Sequence, residues 1–161
     1  MDSLNSFFAQ WSPRVLSVLR IVVAFLFIAH GSQKLFGYPS APPPPQPQPQ
    51  QSAQPAGPPP PQPQTAPAAA PKLPPLMMVA GVLETFGGLL VLLGLFTRPI
   101  AFILSGEMAV AYFMQHAPNS FWPLLNKGEA AVLFCFIFLY LAVAGGGLWS
   151  LDSLLKRNKN I

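Results

Sequence analysis

The residues best suited to chemistry in this sequence are charged side chains that stand inside apolar runs. Glu84 and Glu107 fall well within such runs. Arg20 and His30 lie within the first run, and Lys34 lies near its end. A charged group at the centre of a membrane helix costs about 2.5–3.5 kcal/mol on insertion scales. We therefore expect these residues to pair inside a helix bundle or to line a wet cavity.

Depth along the predicted helices brings three of these residues to one level. With both termini in the cytoplasm and a helical rise of about 1.5 Å per residue, His30 lies roughly 9 Å below the outer surface, Glu84 about 12 Å and Glu107 about 10–12 Å. An imidazole beside two carboxylates suits proton transfer, and cationic groups suit an anionic or carbonyl oxygen. We predict a polar pocket that opens to the outer side. Its candidate residues are His30, Lys34, Glu84, Glu107, His116 and Glu129, with Arg20 and Arg98 as ion-pair or orienting residues.

Structural roles are open for several of these side chains. Glu84 or Glu107 could be an ion-pair partner of Arg20 or Lys34. Glu129 could complete a capping box with Asn126 as the N-cap. His116, at a helix end, has the position of a membrane-interface residue. No metal site is predicted, because the single cysteine, Cys135, cannot form a thiolate cluster and no haem motif accompanies the two histidines.

Four apolar runs must position these groups. The chain has 161 residues, of which 52% are hydrophobic and only 9% charged, whereas a soluble domain carries about 25% charged residues. The runs are Val15–Phe36, Leu76–Phe96, Pro99–Met114 and Ala130–Leu148. Each approaches the roughly 20 residues that a helix needs to cross a bilayer. We predict an all-α membrane protein, a bundle of four transmembrane helices.

The predicted organisation follows from these runs and from the composition between them. Residues 38–75 form a Pro/Gln/Ala-rich loop with 17 of the chain's 21 prolines, a composition typical of disorder. Such a loop is a passive spacer or a ligand for a partner protein. The full prediction is an N-terminal interfacial segment (1–13), transmembrane helix 1 (14–37), the loop (38–75), transmembrane helices 2 (76–97) and 3 (98–116), a loop (117–127), transmembrane helix 4 (128–148) and a C-terminal interfacial segment (149–161).

Charge sets the predicted orientation and excludes one class of partner. The net charge is +4, but the basic residues are scattered and make no stripe for a nucleic acid. One side of the bundle carries Arg14, Arg98, Lys156, Arg157 and Lys159, and the other carries Lys34, Lys72 and Lys127. The positive-inside rule places the first side, with both termini, in the cytoplasm. We expect a multi-pass protein of the bacterial plasma membrane, with the lipid bilayer as its surroundings.

Motifs spread along the chain resemble those of the DoxX family of small four-helix membrane proteins. They comprise Arg20, the run His30–Gly37, Gly81, Glu84, Gly87–Gly88, Gly94–Arg98, Glu107, Tyr112, His116, Phe121–Pro123, Gly128–Glu129 and Gly145–Asp152. The resemblance covers almost all of the chain outside the proline-rich loop. Family members usually join the first two helices by a shorter loop, so the insert is a departure.

The resemblance implies a redox role. The family takes its name from a membrane subunit of a thiosulfate:quinone oxidoreductase, and some members are linked to assemblies that handle thiols or oxidative stress. The sequence has no haem, flavin, iron–sulfur or dinucleotide motif. Any redox cofactor would therefore belong to a partner protein or be a diffusible quinone. Two functions follow as expectations: a subunit or accessory of a quinone- or thiol-linked redox system, or a non-catalytic scaffold or small-solute permeation protein.

Overall fold

The computed structural model describes residues 1–40 and 74–158, and all regular structure in these ranges is helical. The helices are α1 (Asp2–Phe36), α2 (Pro75–Leu93), α3 (Thr97–Ala111), α4 (Pro123–Asn126), α5 (Glu129–Ala144) and α6 (Leu151–Asn158). A π-helical segment, Leu83–Gly87, lies within α2, and a second, Tyr112–His116, extends α3. The predicted all-α class is confirmed over these residues. The loop prediction concerns mainly residues 41–73, which lie outside them.

Helices α1 and α2 pack antiparallel through glycines. A Cβ atom built on Gly31 would lie 2.5 Å from Oγ1 of Thr85, and one on Gly88 would lie 2.8 Å from the side chain of Ile28. Residue numbers therefore rise along one helix as they fall along the other. Small residues allow such close backbone approach, which is how helices pack in lipid.

Helices α3 and α5 form a second antiparallel pair. The Ser105 hydroxyl donates a hydrogen bond to the carbonyl of Cys135 at 2.9 Å. Towards one end of the pair Arg98 lies against Gly145, and towards the other the Tyr112 ring lies against Gly128.

The two pairs join around an apolar core. Phe27 of α1 packs against Phe138 of α5 with ring centroids 4.7 Å apart, and Leu104 of α3 packs against Gly87 of α2. Val91 and Leu141 are fully buried in the same core. The four long helices thus form an antiparallel bundle in the order α1, α2, α3, α5.

The outside of this bundle is apolar. Phe25, Phe102 and Phe136 are each 65–66% exposed, and exposed apolar surface on this scale marks a protein that faces a partner or a membrane. Helices α1 and α2 are long and apolar enough to cross a membrane, while α5 is apolar but shorter. Of the four spans predicted from the sequence, two therefore meet the length criterion. The segment 1–13 is continuous with the rest of α1, with Pro13 inside the helix.

Candidate functional site

A lysine and a glutamate from different helices meet near one end of the bundle. The ammonium group of Lys34, in the last turn of α1, forms an ion pair with Oε1 of Glu84, in the π-helical segment of α2. The Glu84 side chain is 2% exposed and that of Lys34 is 29% exposed. A carboxylate this deeply buried requires a cationic or hydrogen-bonding partner, and Lys34 provides it.

Glu107 of α3 completes a group that we call the carboxylate site: Lys34, Glu84 and Glu107. Glu107 lines the same cleft as Lys34. Both carboxylate oxygens of Glu107, and Oε2 of Glu84, are buried without a hydrogen-bond partner among the described residues. The site therefore has three oxygen atoms that could accept hydrogen bonds.

The local backbone explains how Glu84 reaches this position. The π-helical segment begins at Leu83, and such segments change which side chains face a neighbouring helix and occur frequently at functional sites. On either side of Glu84, Gly81 lies against Leu35 of α1 and Gly87 against Leu104 of α3. Glu84 thus stands where three helices come close together.

A cleft of about 430 Å³ lies beside the carboxylate site, between α2 and α3. Its polar lining includes Lys34, Glu107 and Gln115, and its walls are mostly apolar, with Leu83 and Ile103 among them. Many of the lining residues are exposed on the outside of the bundle, so the cleft is open there. Mostly apolar walls with a few polar groups are the usual composition of a small-molecule site.

The other predicted pocket residues lie apart from this group. His30 is exposed, and its ring packs edge-on against Phe134 of α5 with centroids 5.7 Å apart. Nδ1 of His116 lies 3.0 Å from the carbonyl oxygen of Asn126. Glu129 is exposed in the first turn of α5.

The capping-box interpretation of Glu129 is wrong. Helix α5 has Gly128 as its N-cap and no side-chain capping bond, so Glu129 is the first helical residue. Asn126 instead accepts a hydrogen bond from the amide of Gly128 at 2.8 Å. Lys127 between them adopts a left-handed conformation with φ 59°, and the helix cannot begin before it.

Arg20 lies nearer the opposite end of the bundle, and its hydrogen bonds within the described part of the chain all go to backbone carbonyls. It is 1% exposed. Its guanidinium donates hydrogen bonds to the carbonyl oxygens of Gly146 at 2.9 Å, Val91 at 2.5 Å and Trp149 at 2.7 Å, and also to that of Leu92. Arg20 thereby connects α1 to the end of α2 and to the glycine-rich turn after α5. Its role is to hold this end of the bundle together.

Sequence reasoning missed the role of Asp152. Its two carboxylate oxygens accept hydrogen bonds from the amides of Phe96 and Thr97, both at 2.8 Å, at the start of α3. Burial by itself would raise the pKa of the Asp152 carboxyl, but these amides, with a smaller contribution from Lys156, hold its pKa below the ordinary 3.8. A carboxylate at a helix N-terminus is stabilising, and here it comes from a segment 55 residues away.

Comparison with known proteins settles the relationship that the motifs indicated. A family model described as DoxX matches residues 15–117, which include Arg20 and the whole carboxylate site. The chain belongs to the DoxX family. An uncharacterized protein from Haemophilus influenzae strain Rd is 39% identical over 147 residues, which are 89% of this chain and 92% of that protein. No solved structure matches the chain. DoxX membership and the apolar helices together make this a membrane-type protein.

Proposed function

We propose that this DoxX protein crosses the bacterial plasma membrane four times and binds the head group of a quinol at the carboxylate site, as the membrane component of a redox system. The observation that carries this proposal is the group of three buried carboxylate oxygens without partners, beside an apolar cleft. A quinol has two hydroxyl donors and an apolar tail. The two hydroxyl groups would donate hydrogen bonds to the oxygens of Glu84 and Glu107, and the apolar tail would lie in the cleft.

The charges of the site suit a proton-coupled reaction. Oxidation of a bound quinol releases two protons and two electrons. Glu84 and Glu107 would relay the protons away from the quinol, and the electrons would pass to the cofactor of a redox partner protein. Lys34 would donate a hydrogen bond to a carbonyl oxygen of the product quinone. His30 and Arg20, which lie away from the cleft, have no part in this step.

The four-span topology and the orientation belong to the same proposal. Arg98 and Lys156 lie at the same end of the bundle as Arg20, and the carboxylate site lies towards the other. This distribution supports cytoplasmic termini by the positive-inside rule. Reporter-enzyme fusions after Asn158 and within the first loop should then report opposite sides of the membrane.

The direct test is a binding titration of the full chain in nanodiscs with a short-chain ubiquinol. We expect saturable binding to the wild type, and tighter binding of the quinol than of the quinone. The double variant Glu84→Gln/Glu107→Gln should lose roughly tenfold or more in affinity, because hydrogen bonds to charged groups are worth about 1.5–3 kcal/mol. Glu129→Gln is the matched control, since that carboxylate is exposed outside the site.

A non-catalytic scaffold is the second candidate, and Arg20 favours it. The buried charge of Arg20 is satisfied by carbonyl groups of two other segments, which is an architectural role, and the carboxylate site could have such a role too. Absence of quinol binding to the wild type would support this alternative. The first loop would then be tested as the part that binds a partner, by comparing partner capture with and without residues 40–72.

A further inference from the structure

A second cleft, of about 420 Å³, lies at the Arg20 end of the bundle, away from the carboxylate site. We call it the basic cleft. Arg98 of α3 and Lys156 of α6 line it together with Leu16 of α1 and Gly145 after α5. Neither basic residue forms an ion pair among the residues the structure describes.

The acidic residue in the basic cleft is already engaged. Asp152 lines it too, but both of its carboxylate oxygens accept hydrogen bonds from backbone amides at the start of α3. These amides satisfy Asp152 without using Arg98. Arg98 lies across Gly145, where a Cβ atom would be 3.3 Å from its Nε. Among the residues that the structure describes, the Arg98 guanidinium thus lies at the cleft with its donors available to a ligand.

The surroundings of the basic cleft are apolar and face outward. Leu151, Leu154 and Leu155 of α6 are exposed, as is Phe96 at the start of α3. Helix α6 therefore has leucines beside Lys156 and Arg157, the pattern of a helix that lies in the head-group region of a membrane. A basic pocket between helix ends at this level is the kind that binds anionic lipid head groups.

We propose that the basic cleft binds the phosphate of an anionic phospholipid, with Arg98 and Lys156 as its ligands and the acyl chains on the exposed leucines and Phe96. A free phosphate would use the same two cations but would leave this apolar surface uncovered. The inference depends on the membrane location of the chain and is independent of quinol binding.

The test uses the full chain, delipidated in a neutral detergent, with lipid retention followed by native mass spectrometry. Phosphatidylglycerol and phosphatidylcholine are titrated separately, and inorganic phosphate is added as a competitor. We expect preferential retention of one phosphatidylglycerol. Because a hydrogen bond between charged groups contributes about tenfold or more in affinity, Arg98→Gln should weaken retention at least about tenfold and Arg98→Gln/Lys156→Gln further.

Arg157→Gln is the matched control, because Arg157 is the next residue on α6 and does not line the cleft. Retention by this variant should equal that of the wild type. An equal loss in Arg157→Gln would overturn the site in favour of general surface charge. Equal retention of the two lipids, or no loss in the double variant, would overturn it as well. Displacement of the lipid by equimolar phosphate would show a site for a free anion only.

Discussion

Lys34 in the last turn of α1 forms an ion pair with Glu84 in the π-helical segment of α2. The two residues are 50 positions apart in the sequence. The pair joins the helices on either side of the proline-rich loop. Lys34 also lines the same cleft as Glu107, the other carboxylate of the site. Stability and the proposed quinol binding therefore involve the same three side chains.

Removing only the cation of this pair should destabilise the protein more than removing both charges. Lys34→Met leaves Glu84 buried without its partner, which costs about 3 kcal/mol in the free energy of unfolding. The double variant Lys34→Met/Glu84→Gln has no buried charge, so we expect it to recover much of the lost free energy of unfolding. Equilibrium unfolding in mixed detergent micelles measures both variants. Equal destabilisation of the single and double variants would contradict the ion pair as an energetic unit.

Arg20→Lys should destabilise the bundle even though it keeps the charge. A lysine ammonium has three donors and lacks the planar fork with which Arg20 reaches carbonyls on two separate segments. Buried carbonyls left without donors cost about 1–3 kcal/mol each, so we expect a loss of at least about 2 kcal/mol in the free energy of unfolding. Arg14→Lys is the control, because Arg14 donates one hydrogen bond to the nearby Gln10 carbonyl. Similar losses in the two variants would disprove a special role for Arg20.

The capping contribution of Asp152 should depend on pH. Its folded-state pKa is lower than the ordinary 3.8, so its contribution is complete above that value and is lost as the pH falls through the lowered pKa. Asp152→Asn removes one acceptor from the start of α3 and should cost about 1 kcal/mol at neutral pH. The difference between wild type and variant should shrink as the pH falls below 3.8 and the carboxyl protonates. Thermal unfolding from neutral to acidic pH measures this difference in stability. A difference independent of pH would rule out the Asp152 carboxylate as the cap.

Gly31 should tolerate no side chain, whereas Gly106 should tolerate one. A Cβ on Gly31 would lie 2.5 Å from Oγ1 of Thr85 and 2.6 Å from its backbone nitrogen, so α1 and α2 would have to separate. We expect Gly31→Ala to cost about 1–3 kcal/mol in the free energy of unfolding, as overpacking does. Nothing lies within 4 Å of a Cβ on Gly106, and alanine there should be neutral or stabilising by up to about 1 kcal/mol. Equal effects at the two positions would contradict the close packing.

The sequence predicts the all-α class because apolar runs near 20 residues have few alternatives to a helix. It also predicts that Glu84 pairs inside the bundle or lines a cavity, and Glu84 is buried and paired with Lys34. Depth alone does not specify the direction in which a side chain points. His30 lies one turn before Lys34, yet it faces Phe134 while Lys34 faces Glu84. That difference depends on how the helices pack together.

Other features leave no signal in the sequence. The carbonyl partners of Arg20 cannot be predicted from residue types, because every residue has a backbone carbonyl group. Asp152 caps a helix that begins 55 positions earlier, so no local capping motif indicates it. The π-helical segment at Leu83–Gly87 breaks the 3.6-residue period from which helix faces are deduced. Each of these three features can be recognised only in the tertiary structure.

The backbone partners of Arg20 have a consequence for how this protein can evolve. Leu92 and Trp149 contribute carbonyl oxygens, and these remain whatever side chains stand at the two positions. Substitutions there can accumulate without disturbing the contact, while residue 20 itself cannot change. In saturation mutagenesis, position 20 should accept almost nothing but arginine. Correlated substitution between position 20 and its partners should be absent, so a contact essential to the bundle would go undetected by covariation.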